Sequence, residues 1–72
     1  MSSSALLQLR PGQALRQSPI PALRRLQVEE TEAEVVLMGS VSTYYMKQLA
    51  QETILPLMGD RQLRNRIKVS RP

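Results

Sequence analysis

The chain has 72 residues, a net charge of +4, and neither Cys nor His. Without Cys, disulfides, thiolate metal sites and Cys nucleophiles are excluded, and without His the commonest general base and metal ligand is missing. A domain this small buries only about 60% of the surface that its unfolded chain exposes, so association is one route to further stability. We therefore expect a small non-enzymatic domain that needs no cofactor, with acidic partners favoured by its charge.

Residues 1–10 contain a Ser run and lead to Pro11-Gly12, so we expect a flexible N-terminal segment followed by one domain over residues 11–72. No transmembrane segment is expected, because no apolar run approaches the roughly 20 residues that a membrane-spanning helix needs. The start also lacks the basic region of a signal peptide. If Met1 is the native start, we expect a cytoplasmic protein; otherwise the compartment stays open.

A short helix is predicted over residues 11–17, with Pro11 near its first position and Ser18-Pro19 and Pro21 ending it. From Arg24 the apolar residues alternate with polar ones, which predicts a strand. A hairpin loop is expected near residues 30–33.

A second strand is predicted over residues 35–41. It is apolar on both faces as far as Ser40, which suits a central position in a sheet. Gly39, in the middle of this strand, predicts a bulge or a close helix–sheet approach.

A long amphipathic helix is predicted over residues 43–58, with Ser42 as its N-cap. Pro56 is expected to loosen its last turn, and Gly59 is placed to end it in the left-handed conformation. The predicted buried stripe consists of Met46, Leu49, Ala50, Thr53, Ile54 and Leu57.

The last predicted element is a strand over residues 62–69, in which apolar residues alternate with cations. The second strand, the long helix and this strand form a βαβ unit, which predicts parallel pairing and a right-handed crossover. The expected fold is therefore α+β, in the order αββαβ, with a small three-stranded mixed sheet and both helices on one face. The predicted inner face of the sheet consists of Leu26, Val28, Val35, Leu37, Val41, Leu63, Ile67 and Val69.

Two stretches of sequence resemble a known family. Residues 35–41 read Val-Val-Leu-Met-Gly-Ser-Val, which is similar to the V-x-L-x-G-x-V strand of the BON domain of bacterial osmotic-shock and nodulation-related proteins. Residues 59–69 read Gly-Asp-Arg-Gln-Leu-Arg-Asn-Arg-Ile-Lys-Val and are similar to its G-V-x-x-V-x-N-x-I-x-V ending, although Asp60 stands where the family usually has Val. Residues 47–50 fit the helix of that family.

This resemblance covers roughly residues 12–70, with Gly39, Gly59 and Asn65 as its most distinctive positions. It implies an αββαβ fold that binds phospholipid surfaces or protein partners and has no catalytic residues. In the predicted register Asn65 faces the core, where its amide is expected to satisfy backbone groups around the Gly59 turn.

The candidate anion- or partner-binding residues lie on the exposed face of the predicted sheet and at the start of the long helix. The cations are Arg25, Arg64, Arg66 and Lys68. We expect Arg64, Arg66 and Lys68 either to form a binding stripe for an anionic surface or to pair with Glu29 and Glu34 across the sheet.

Tyr44 and Tyr45 have two possible roles. Both rings lie at a membrane or protein interface, or one ring packs at the edge of the core while the other is half exposed. Val36 and Met38 point outward, and the alternative function is self-association into a homodimer through them.

Nucleic-acid binding is unlikely, because the exposed face lacks stacking aromatics and the chain has no Gly-x-x-Gly clamp. The Glu run at 29–34 lacks the pattern of a calcium loop, so no metal site is predicted.

Overall fold

The computed structural model describes residues 10–70. The expected flexible segment therefore lies, apart from Arg10, outside the described residues. The helices are α1 (Pro11–Arg16), α2 (Pro21–Arg24) and α3 (Tyr44–Ile54), and a 3-10 turn covers Leu55–Leu57. The strands are β1 (Gln27–Glu30), β2 (Glu34–Met38), β3 (Ser40–Val41), β4 (Gln62–Asn65) and β5 (Lys68–Val69).

The predicted α+β fold is confirmed. Strand β2 lies at the centre of a three-stranded sheet, antiparallel to β1 and parallel to β4. Helix α3 connects the two parallel strands, as the βαβ pattern predicts. The central position of β2 follows from its side chains, because residues that are apolar on both faces suit a strand with neighbours on either side.

The N-terminal part differs from the prediction in one element. Pro21 does not only follow the first helix; it begins α2, a second short helix that ends at Arg24. A proline favours the first position of a helix because its φ is already helical and its missing N–H would have no partner there. Strand β1 consequently begins at Gln27, three residues later than expected.

Gly39 separates β2 from β3. Its φ of +128° lies in a region that L residues rarely adopt, and a Cβ at this position would lie 2.9 Å from Cδ2 of Leu26. The side chain that approaches this glycine is that of Leu26, between α2 and β1, so the close approach is not the helix–sheet contact that was expected.

The last strand is also divided in two, yet its pairing continues past the division. The backbone N–H groups of Arg66, Lys68 and Ser70 donate to the carbonyls of Leu37, Gly39 and Val41, respectively, at 2.8–2.9 Å. Residues 62–70 therefore continue beside residues 34–41 as one parallel ladder. The break between β4 and β5 lies opposite the break at Gly39 between β2 and β3.

Helix α3 begins one residue later than predicted. Thr43 is the N-cap, and its Oγ1 accepts a hydrogen bond of 3.1 Å from the N–H of Met46. The helix ends at Ile54, before a 3-10 turn that contains Pro56. Gly59, at φ +64°, takes the left-handed conformation that was expected of it.

The core lies between the helices and the inner face of the sheet. Leu15, Leu23, Leu26, Val35, Leu37, Val41, Ala50, Ile54, Met58 and Ile67 are buried. Val28, Leu63 and Val69 pack against them, so the predicted inner face is confirmed.

Candidate functional site

The basic stripe of the last strand is only partly neutralised. Arg64 forms an ion pair with Glu34, in which Nε lies 2.7 Å from Oε1. Glu29 is not its partner, because Glu29 and Arg64 lie on opposite sides of β2 at the level of Val36. Two strand spacings separate them by about 10 Å. The predicted pairing with Glu34 is thus confirmed for Arg64, and the predicted pairing with Glu29 is wrong.

Arg66 and Lys68 form no ion pair within residues 10–70, and both are exposed. They border an open depression whose remaining lining residues are Met38, Gly39 and Ser40. Among the described residues these two cations are thus free of ion pairs, and they lie beside the side chain of Met38 on one surface.

We refer to this end of the sheet, formed by residues 39–41, residues 66–69 and the start of α3, as the Gly39 end. Arg25 belongs to the same region, since Gln27 pairs with Met38 and Leu26 lies against Gly39. It is exposed. The register thus brings three exposed cations from distant parts of the sequence to one end of the domain.

The carboxylates lie toward the opposite end, which we call the hairpin end because it contains the loop of residues 31–33. The six acidic residues are Glu29, Glu30, Glu32, Glu34, Glu52 and Asp60. Four belong to the hairpin, one to the last turn of α3 and one to the turn before β4. Of the hairpin acids, Glu29 lies nearest the Gly39 end, and it is level with Val36. The three ion pairs described by the structure all involve Glu30 or Glu34.

Tyr44 and Tyr45 occupy the first two positions of α3 and are 72% and 70% exposed. The expectation that one of them packs at the edge of the core is wrong. Helix α3 starts three residues after Val41, which pairs with Val69 of β5. The aromatic pair therefore lies at the Gly39 end together with the free cations.

Asn65 is partly buried and acts on a different segment from the one predicted. Its Nδ2 donates to the carbonyl of Lys47 at 3.3 Å and to Oε1 of Gln51 at 3.2 Å. Its Oδ1 accepts from the N–H of Ile67 at 3.2 Å. The expectation that it serves the Gly59 turn is wrong; Asn65 joins the middle of α3 to the bend between β4 and β5, and thereby supports the backbone that carries Arg66.

The sequence reasoning missed two residues that hold the hairpin end together. Arg61 donates to the carbonyls of Leu57 and Met58 and to the carboxylate of Glu30. Thr31 accepts from the N–H of Glu34 at 3.0 Å through its Oγ1 and so closes the hairpin loop. A Thr at the start of a short loop is a recognisable turn signal, whereas the role of Arg61 depends on tertiary contacts.

Val36 and Met38 lie on the outer face of β2 and are each partly buried. Val36 lies between Glu29 of β1 and Arg64 of β4, whereas Met38 borders the depression. Self-association through this pair stays a prediction.

A scan against models of protein families finds no match, and comparisons with curated proteins and with solved structures find no significant similarity. The resemblance to the BON domain consequently stays a prediction from the sequence. Within residues 10–70, no helix is long and apolar enough to cross a membrane.

Proposed function

We propose that this domain is a non-catalytic module that binds anionic phospholipid surfaces through its Gly39 end. The observation that carries the proposal is the separation of charge along the sheet. Arg66 and Lys68 are exposed and free of ion pairs among the described residues, while the acidic residues lie toward the hairpin end. The sequence resemblance to the BON domain supports the same class of ligand.

The electrostatic attraction of the two cations to an anionic lipid surface is strong enough for reversible binding. A cation near an anionic lipid surface contributes about 1 kcal/mol, so Arg66 and Lys68 together supply about 2 kcal/mol, or about 30-fold in the partition coefficient. Arg25, in the turn between α2 and β1, adds to this attraction. Because the contribution is electrostatic and the groups are exposed, added salt weakens it.

The chemistry of the chain favours binding over catalysis. It contains neither His nor Cys, which removes the most frequent general base and the most reactive nucleophile. The depression beside Arg66 is open, whereas catalytic sites usually enclose most of a small substrate. A flat lipid surface fits this geometry better than an enclosed small molecule does.

The test is cosedimentation of the whole chain with large vesicles at low and at high salt. One set of vesicles contains phosphatidylglycerol in phosphatidylcholine, and the other contains phosphatidylcholine alone. The proposal predicts binding to the first set only, with a loss of binding as salt increases. Equal binding to both sets, or no binding to phosphatidylglycerol vesicles at low salt, would reject it.

A further inference from the structure

The two tyrosines of the chain are unusually exposed for large side chains. Tyr44 and Tyr45 are 72% and 70% exposed, against 47% for Leu55, the other exposed large hydrophobic side chain among the described residues. Their exposure shows that the core does not require both rings at the start of α3. The helix does not require them there either, because the hydroxyl of Thr43 supplies its cap.

The position of this aromatic pair relative to the charges carries the inference. Ser40 and Val41 of β3 pair with Lys68 and Val69 of β5, and α3 begins directly after β3. The rings and the free cations therefore belong to one end of the fold. Tyrosine has an apolar ring with a polar hydroxyl, a combination that is favoured at the headgroup level of a membrane.

We propose that Tyr44 and Tyr45 form an aromatic anchor that enters the headgroup region of an anionic membrane and fixes the domain end-on, with its hairpin end directed away from the lipid. This inference rests on the proposed function and adds to it the depth of contact and the orientation. An anionic surface attracts the Gly39 end and repels the carboxylates of the hairpin end. The orientation is thus set by charge, and the rings hold it at short range.

The alternative orientation, with the outer face of the sheet lying flat on the lipid, fits the charges less well. That face contains Arg66 and Lys68, but it also contains Glu29 and Glu34. Glu34 is paired with Arg64, whereas Glu29 has no ion pair among the described residues. Flat docking would bring Glu29 to the anionic surface. End-on docking keeps Glu29 away from the surface and brings Tyr44 and Tyr45 to it.

The intrinsic fluorescence of the chain reports on this site alone, because Tyr44 and Tyr45 are its only tyrosines and it has no Trp. The experiment uses the whole chain and phosphatidylglycerol vesicles that contain lipids brominated high in the acyl chain, with cosedimentation measured on the same samples. End-on docking predicts that the tyrosine fluorescence of the bound protein is quenched. It also predicts a several-fold loss of partitioning in Tyr44→Ser/Tyr45→Ser.

The matched control is Leu55→Ser, which removes an exposed apolar side chain just past the other end of α3. We expect it to leave partitioning unchanged. Bound protein without quenching, together with normal partitioning of the tyrosine variant, would overturn the anchor and leave the proposed function standing. Failure of the wild-type chain to cosediment at low salt would instead overturn the proposed function, and the anchor with it.

Discussion

The guanidinium of Arg61 donates a hydrogen bond of 2.9 Å to the carboxylate of Glu30 and thereby fastens the turn after α3 to β1. Both side chains are largely shielded, at 22% and 19% exposure. The same guanidinium also holds the carbonyls of Leu57 and Met58. A single planar group therefore joins the end of the helix to the hairpin.

Arg61→Lys keeps the charge but cannot reproduce this three-way geometry. We expect it to lower the free energy of unfolding by about 1.5–3 kcal/mol, the range for hydrogen bonds to charged groups. Urea denaturation measures the change. Arg16→Lys, at an exposed position of α1, is the control and should stay within about 0.5 kcal/mol of the wild type. Equal stability of the two variants would contradict this role.

Asn65→Ala removes the donor to Lys47 and Gln51 and the acceptor for the N–H of Ile67. We expect a loss of about 1–3 kcal/mol in the free energy of unfolding, because these groups are partly buried and lose their partners. Gln62→Ala, at an exposed position of the same strand, is the control for chemical denaturation. A variant at residue 65 that is no less stable than this control would show that the link is dispensable.

The two glycines with positive φ are expected to respond differently to substitution. Gly39→Ala places a Cβ 2.9 Å from Leu26 at a φ of +128°, so we expect a loss of about 1–3 kcal/mol. In Gly59→Ala the added Cβ meets open space. The expected cost is therefore only that of an Ala in the left-handed conformation at φ +64°, about 1–2 kcal/mol. Thermal unfolding should therefore give the lower midpoint for the variant at Gly39, and the reverse order would contradict the close contact with Leu26.

The start of α3 offers a comparison between neighbouring residues. Thr43→Ala removes the hydroxyl that accepts from the N–H of Met46, and we expect it to cost about 1 kcal/mol of stability. Ser42→Ala should change stability by less than about 0.5 kcal/mol, since Ser42 lies outside the helix. Urea denaturation of the two variants decides between the caps: a larger loss at Ser42 would place the N-cap where the sequence pattern predicts it.

Local patterns were sufficient for much of the fold. The spacing of Ala50 and Ile54 predicts the buried face of α3, and the alternation of Val35 and Leu37 predicts the inner face of β2; both are buried as expected. These features depend on burial along one element, which leaves a periodic trace in the sequence. Pro21 was ambiguous, because proline favours both the end of one helix and the start of another.

The candidate site depended on relationships that no single element carries. Arg64 pairs with Glu34 and not with Glu29 because β2 lies between β1 and β4, an order that the sequence does not state. The same order leaves Arg66 and Lys68 free of described ion pairs. The exposure of Tyr44 and Tyr45 likewise required the position of the helix start relative to the sheet.

The most direct test of the proposed function compares two variants of equal net charge in the vesicle partition assay. Arg66→Gln/Lys68→Gln removes the two free cations, and Arg10→Gln/Arg64→Gln removes two exposed cations that are paired at the hairpin. We expect the first variant to bind phosphatidylglycerol vesicles about 30-fold more weakly than the wild type, from about 1 kcal/mol per cation. The second variant should lose much less. Equal losses in the two variants would show that net charge alone drives binding and would contradict a site at the Gly39 end.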